Sequence, residues 1–205
     1  MNQAQLLEFL APGFLHGICN SLFKIQGQAE LLGRGLSEAP QDVGTSVVRS
    51  CREAVEAVEI YRLILDPQVP SEPVVAGSLV VALAGILRPG LQDSGVSLRW
   101  DAAVAELPQA VHRAPLVLPV VTAAYHLRQA MPSGYQASMT LAVQVASAFE
   151  ITIQVVPDPG SLPFDLDLAP AIQHATASLG TYEGEVSATG TGAGIHIALP
   201  VGAVR

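Results

Sequence analysis

At 205 residues, half of them hydrophobic, the chain is long enough to close one medium core or two small ones, which argues against a disordered protein. Only 14% of residues are charged and the formal net charge is -8, so the basic footprint needed to hold a phosphate backbone is missing and nucleic acid is excluded as a partner. Cys19 and Cys51 make neither a metal spacing nor a disulfide framework, no secretory signal precedes them, and no apolar run reaches the roughly 18 residues of a spanning helix; the expectation is a soluble protein of the reducing cytoplasm, with no membrane contact.

The first predicted element is a helix. Phe14, Ile18, Leu22, Ile25 and Leu32 recur at helical spacing, with a start or bend expected near Pro12-Gly13. Gly33, Gly35, Ser37 and Pro40 break the pattern. A second stripe then runs through Val47, Cys51, Val55, Val58 and Leu65, so residues 1–66 read as a helical hairpin. Each helix can cover only one side of the other, which leaves apolar residues over. A symmetric dimer forming a four-helix bundle absorbs them, and packing of the hairpin onto the rest of its own chain is the competing solution. Cys19 and Cys51 are expected in the hairpin core.

Asp66-Pro67-Gln68-Val69-Pro70, with Pro73, reads as a stiff linker. Beyond it, residues 74–205 mix periods. A helix is expected from Val74 to Leu91, a strand at Val96, Leu98 and Trp100, and a helix from Leu116 to Met131 that Pro132-Ser133-Gly134 ends. Two neighbouring antiparallel strands follow at Met139 to Val145 and Ile151 to Val155. A helix from Leu168 to Leu179 and short strands at Glu185 to Ala188 and Gly194 to Leu199 complete the chain. This order implies an α+β layer with helices on one face of a mostly antiparallel sheet. Gly190-Thr191-Gly192-Ala193-Gly194 precedes no helix that could supply phosphate-binding N–H groups, so it reads as a hairpin connection. His112, His174 and His196 share no ligand spacing, no metal site is expected, and no nucleophile elbow is present.

The run Phe14-Leu15-His16-Gly17-Ile18-Cys19-Asn20-Ser21-Leu22, continuing Ile25-Gln26-Gly27-Gln28-Ala29-Glu30-Leu31-Leu32, resembles the phospho-acceptor box of two-component histidine kinases. Downstream, His126-Leu127-Arg128-Gln129-Ala130-Met131-Pro132 resembles the end of that family's asparagine box. Ile151 to Val155 with Asp158-Pro159-Gly160 resembles its first glycine box, and Gly194 to Pro200 its closing strand. The resemblance spans nearly the whole chain and is strongest at the first motif. It implies that residues 1–66 are a dimerisation and histidine-phosphotransfer hairpin, and residues 74–205 an α/β sandwich similar to the kinase ATPase domain.

The departures from the family bear on function. Where the family places magnesium-binding asparagines, this chain has Thr122 and His126, and an imidazole is a poor ligand for a hard cation that prefers oxygen. Asp158 and Gly160 keep the adenine-site pattern, but Ser161-Leu162 replaces the next glycine, and no glycine lies between Pro163 and Gly180 to build a closing lid. These are vestigial ATP-site positions, and no bound cofactor is expected. His16 remains as the implied phospho-acceptor, with Asn20 one turn on at the position that orients water for dephosphorylation in relatives. Gly17 stands where the family has an acidic proton acceptor, a loss of about 10²-fold or more for attack on ATP.

The resemblance therefore implies a histidine phosphotransferase. It would relay phosphoryl groups between response-regulator receiver domains that bring their own magnesium, with an upstream histidine kinase as a further partner. Two alternatives stand beside it: a non-enzymatic pseudokinase scaffold that binds a receiver or kinase, and a divergent ATP-dependent kinase.

Overall fold

The computed structural model describes residues 3–35, 40–69, 72–133, 135–145, 148–157, 165–190 and 193–200. Helix α1 spans Gln3–Gly33 and α2 spans Pro40–Leu65. They pair antiparallel: Phe14 stacks on Tyr61 with ring centroids 4.2 Å apart, Gln28 donates to the Ser46 hydroxyl, and Lys24 reaches Glu53 at 3.4 Å. The expected start or bend at Pro12 is not where α1 begins. The helix runs nine residues further toward the N-terminus with Pro12 inside it, because Leu6 and Leu10 gain burial in the core and Gln3 anchors the first turn by donating to the Ile64 and Leu65 carbonyls at 2.9 and 2.7 Å.

The remaining elements are β1 (Val74–Val75), α3 (Ala76–Gln92), β2 (Val96–Trp100), a 3-10 turn (Ala102–Glu106), β3 (Ala110–Val111), α4 (Ala114–Ala130), β4 (Ala137–Val145), β5 (Ala148–Pro157), α5 (Ala169–Leu179), β6 (Glu185–Ala188) and β7 (Gly194–Pro200). β1 and β3 form a small antiparallel ribbon. The main sheet has the order β2-β4-β5-β7-β6, with β2 and β4 parallel and the other pairs antiparallel. Strict alternation on β5 buries Phe149, Ile151, Ile153 and Val155, while Glu150, Thr152 and Gln154 stay partly exposed. Met139 and Leu141 of β4 and Ile195, Ile197 and Leu199 of β7 join the buried side, where α3, α4 and α5 lie. The α+β layer of helices over one sheet face is as expected. Gly95 has φ 81°, a left-handed conformation that lets the chain turn from α3 directly into β2.

The base of the hairpin belongs to this core. Leu6, Leu10, Ile60, Leu63 and Ile64 are buried together with Leu79, Leu83, Ile86 and Leu87 of α3. Contact between α1 and α3 is close enough to require glycine: a Cβ on Gly13 would stand 1.8 Å from the Ile86 carbonyl oxygen, and one on Gly90 would stand 2.3 Å from that of Phe9. Phe9 also meets Tyr125 of α4 edge-on at 5.5 Å. A two-pronged ion pair joins α2 to the start of α4, with Arg113 Nε and Nη2 each 2.7 Å from the Glu56 carboxylate. Both side chains are about nine-tenths buried. Arg113 also donates to the Glu72 carbonyl at 2.8 Å, and its pKa is raised, chiefly by the hydrogen bond to Glu56.

Further along the hairpin the packing differs from expectation. Of the second stripe, Cys51, Val55, Val58 and Leu65 are exposed and Val47 is half-buried, and among the described side chains those that α2 buries are Ser50, Glu56, Ala57, Ile60, Leu63 and Ile64. Cys19 and Cys51 are likewise exposed rather than packed between the two helices. The reason is geometric: α2 carries two apolar ridges, and the one facing its own chain runs through Ala57, Ile60 and Ile64. By length and composition α1 is apolar enough to cross a membrane, which corrects the expectation that no such helix exists. Its first third, however, is an internal packing element held by α2, α3 and Tyr125.

Candidate functional site

His16 sits in the middle of α1, exposed to solvent, beyond the point where α1 leaves α3. One turn on, the Asn20 amide nitrogen stands 2.8 Å from His16 Nε2. With the amide as donor, Nε2 is the accepting nitrogen and the ring proton is on Nδ1, so the nitrogen nearest Asn20 is the one with a lone pair. Both side chains are exposed, and rotation of Asn20 frees that lone pair without opening any packing. A Cβ on Gly17 would meet nothing within 4 Å, so the space beside His16 is open. No carboxylate occurs between residues 9 and 29, although the chain has 18 acidic residues, and Lys24 is the single formal charge of that stretch.

The positions implied as remnants of an ATP site lie elsewhere. Thr122 and His126, one turn apart on α4, face the α5 side of the fold. Thr122 is 2% exposed, and the His126 ring stacks on His174 of α5 with centroids 4.4 Å apart and planes 11° from parallel. Tyr125 meets the same ring edge-on at 5.1 Å. His126 Nε2 is buried and has no protein partner. Burial, followed by the neighbouring His174, lowers the His126 pKa from 6.5 to about 4, so the ring is neutral at pH 7. Asp158 and Gly160 lie outside the described residues.

The described side chains do not fit a magnesium-bridged triphosphate. The position that the resemblance implies as a magnesium ligand is a stacked imidazole where a hard cation needs oxygen, and α5 packs along α4 beside it. Among the described residues no three His, Cys, Asp or Glu side chains gather in metal-ligand geometry. His174, which shares no ligand spacing in the sequence, is the site residue that sequence reasoning missed; its only signal was a helix predicted to follow the glycine box directly. His196 lies 3.9 Å from Glu150 on the opposite sheet face, in a shallow polar groove with Thr152, Gln154 and Ser187. His112 stands apart from both sites.

No protein-family profile and no curated protein matches the sequence. Solved structures of similar shape are histidine kinases. Acinetobacter baumannii histidine kinase AdeS aligns over 91% of this chain and 98% of its own at 13% identity and TM-score 0.43. The histidine kinase domain of the Erythrobacter litoralis blue-light activated histidine kinase aligns over 89% and 94% at 14% identity and TM-score 0.40. The cytoplasmic segment of histidine kinase QseC aligns over 71% and 91% at 12% identity and TM-score 0.42. Overlaps of this size carry no functional argument; that falls to the side chains at the two sites.

Proposed function

We propose that this chain is a histidine phosphotransferase of two-component signalling, passing phosphoryl groups between response-regulator receiver domains without using ATP. The observation that carries the reading is the contrast between its two candidate sites: His16 is open to solvent with Asn20 at 2.8 Å, whereas the position that would hold magnesium is a half-buried imidazole stacked on His174. In the transfer step, neutral His16 Nε2 attacks the phosphorus of a receiver's aspartyl phosphate. A P–N bond forms as the P–O bond to the aspartate breaks, the carboxylate leaves, and the Nδ1 proton passes to water. The receiver supplies magnesium. Asn20 holds the ring and, in the reverse role, orients water for dephosphorylation.

In this reading residues 1–66 are the transfer hairpin, residues 74–205 are a vestigial ATPase-like domain, and the protein works in the cytoplasm as a homodimer. Support for the dimer comes from the exposed ridges. Val48, Cys51, Val55, Val58 and Leu65 follow steps of three, four, three and seven, and Val55 is 58% exposed. Leu15, Cys19 and Leu22 form the matching ridge on α1, with Leu22 56% exposed. A second copy laid along both ridges completes a four-helix bundle. An upstream histidine kinase is a further partner.

The competing reading is a non-enzymatic pseudokinase scaffold with the same docking surface, favoured by the absence of an acidic residue next to His16, where Gly17 stands. The divergent ATP-dependent kinase is the weakest reading, for the reason that the stacked His126 gives. Incubating the protein with receiver domains phosphorylated by acetyl phosphate separates them. Transfer to the wild type that His16→Ala abolishes, with the dimer intact, supports the phosphotransferase; receiver binding without transfer supports the scaffold; labelling from magnesium-ATP supports the kinase.

A further inference from the structure

The exposed ridge on α2 holds one charged residue. Val48, Cys51, Val55, Val58, Arg62 and Leu65 follow one another at alternating steps of three and four, so Arg62 stands where the apolar seam skips from Val58 to Leu65. Its side chain is more than half exposed, and its guanidinium lies 3.8 Å from Glu59, a turn back on the same helix. A cation in an apolar seam costs stability unless a group across the seam uses it. Phe14 stacks on Tyr61, so Arg62 is level with Gly13 and about 4.5 Å along the axis from the level of His16. A second copy laid in the same sense sets its α1 beside this α2 and repeats the antiparallel pairing, with corresponding residues at equal height. Laid in the opposite sense with the seams centred, it sets Arg62 level with Cys51 of the partner subunit, flanked by Arg49 and Arg52, cation against cation. In the favoured sense both residues lie at the outer edge of one helix pair: His16 is about 60° around α1 from Cys19, and Arg62 about 100° around α2 from Tyr61. Side chains tilt toward the N-terminus of their own helix, so Arg62 and His16 lean toward each other's level. Within one chain they cannot meet, because His16 lies about 160° around α1 from Phe14 and points away from its own α2.

We infer that Arg62 of the partner subunit completes the phosphoryl site at His16, so that each site is assembled from two chains; the inference rests on the phosphotransfer and dimer readings. As the P–N bond forms at His16 Nε2, the leaving group departs with its electron pair and the Nδ1 proton passes to water. The leaving group is a carboxylate from a receiver's aspartyl phosphate, or neutral ammonia from zwitterionic phosphoramidate. The oxygens of the transferred group keep their negative charge throughout, and a guanidinium donates two parallel N–H groups to two of them. The chain that carries His16 offers no such group nearby: the one formal charge from residue 9 to residue 29 is Lys24, two turns away and 3.4 Å from Glu53. Glu8 of α1, the rival partner for the guanidinium, is five residues from the level of Arg62 against three for His16, on the side from which Arg62 leans away.

The test uses the full-length protein. Labelling of His16 is timed for the wild type, Arg62→Ala and Arg62→Lys with two donors, phosphoramidate and receiver domains phosphorylated with acetyl phosphate, while solution mass reports the dimer. A heterodimer with His16→Ala in one chain and Arg62→Ala in the other, isolated through two affinity tags, then leaves one His16 that meets an intact Arg62 only across the interface. The expected rate for Arg62→Ala is about 10²-fold lower with either donor, with Arg62→Lys intermediate and the dimer mass unchanged. The heterodimer is expected to regain the wild-type rate per intact His16. An undiminished rate in Arg62→Ala, a loss confined to the receiver donor, or a heterodimer as slow as the Arg62→Ala homodimer overturns the inference; the second result assigns Arg62 to docking, and the third to its own chain. A wild type that neither donor labels fails the phosphotransfer reading itself, and a labelled wild type that is a monomer fails the dimer reading; either takes the role of Arg62 with it.

Discussion

Folding partly buries the His126 ring against His174 and lowers its pKa from 6.5 to about 4, and this has a consequence for stability. Above about pH 6.5 the residue is uncharged in both folded and unfolded chains and adds no pH dependence. Below that, the unfolded chain takes up a proton that the folded chain refuses until about pH 4, so stability is lost as pH falls through this window. Melting temperature measured from pH 7.5 to pH 4.5 should drop on acidification, and His126→Leu should flatten the drop; an identical profile in the variant would remove His126 as its source. At the Glu56–Arg113 pair the cost is direct. Glu56→Ala leaves a buried guanidinium without its carboxylate and should cost about 3–5 kcal/mol in urea denaturation. His16, Asn20, Thr122 and His126 stand out in the sequence because each falls within or beside a stretch that resembles a local motif. His174 and Arg113 do not, since each matters through a partner far away along the chain.

The helices and the five main-sheet strands were legible for a similar reason: period and punctuation are local. Two errors show where local signals stop. Pro12 suggested a helix start or bend, and of the two the start does not hold, because burial of Leu6 and Leu10 outweighed the missing N–H and carried α1 back to Gln3. On α2 two apolar ridges lie side by side, and periodicity does not say which of them faces the chain itself. Glycine placement gives a test at this scale. Gly44 has open space around an added Cβ, so Gly44→Ala should stabilise by about 0.5–1 kcal/mol, as expected for an exposed helix. Gly13→Ala drives a methyl group into the Ile86 carbonyl and should instead destabilise by about 1–3 kcal/mol. Equal effects in thermal melts would contradict the close approach of α1 to α3.

At the scale of the whole molecule, one buried cluster runs from Leu6 to Leu199 through hairpin and sheet alike. Gly13, Gly90, Phe9 and the Glu56–Arg113 pair fasten the hairpin base to the α/β layer, while its distal half projects with His16 and two uncovered ridges. The sequence posed a bundle and packing onto the same chain as rivals, and the hairpin uses its base for the second. For the distal half, the expected solution mass is about twice 21.3 kDa, reduced to that of one chain by Val55→Lys. A monomeric wild type would rule out the bundle.

Phosphotransfer requires that His16 carry phosphate in the cell, and mass spectrometry reads this on the protein isolated from its native cells and kept near neutral pH, because phosphohistidine is acid-labile. Phosphate on His16 is the expected result. Its absence under several growth conditions, with another phosphohistidine protein detected in the same samples, would contradict phosphotransfer and leave the scaffold.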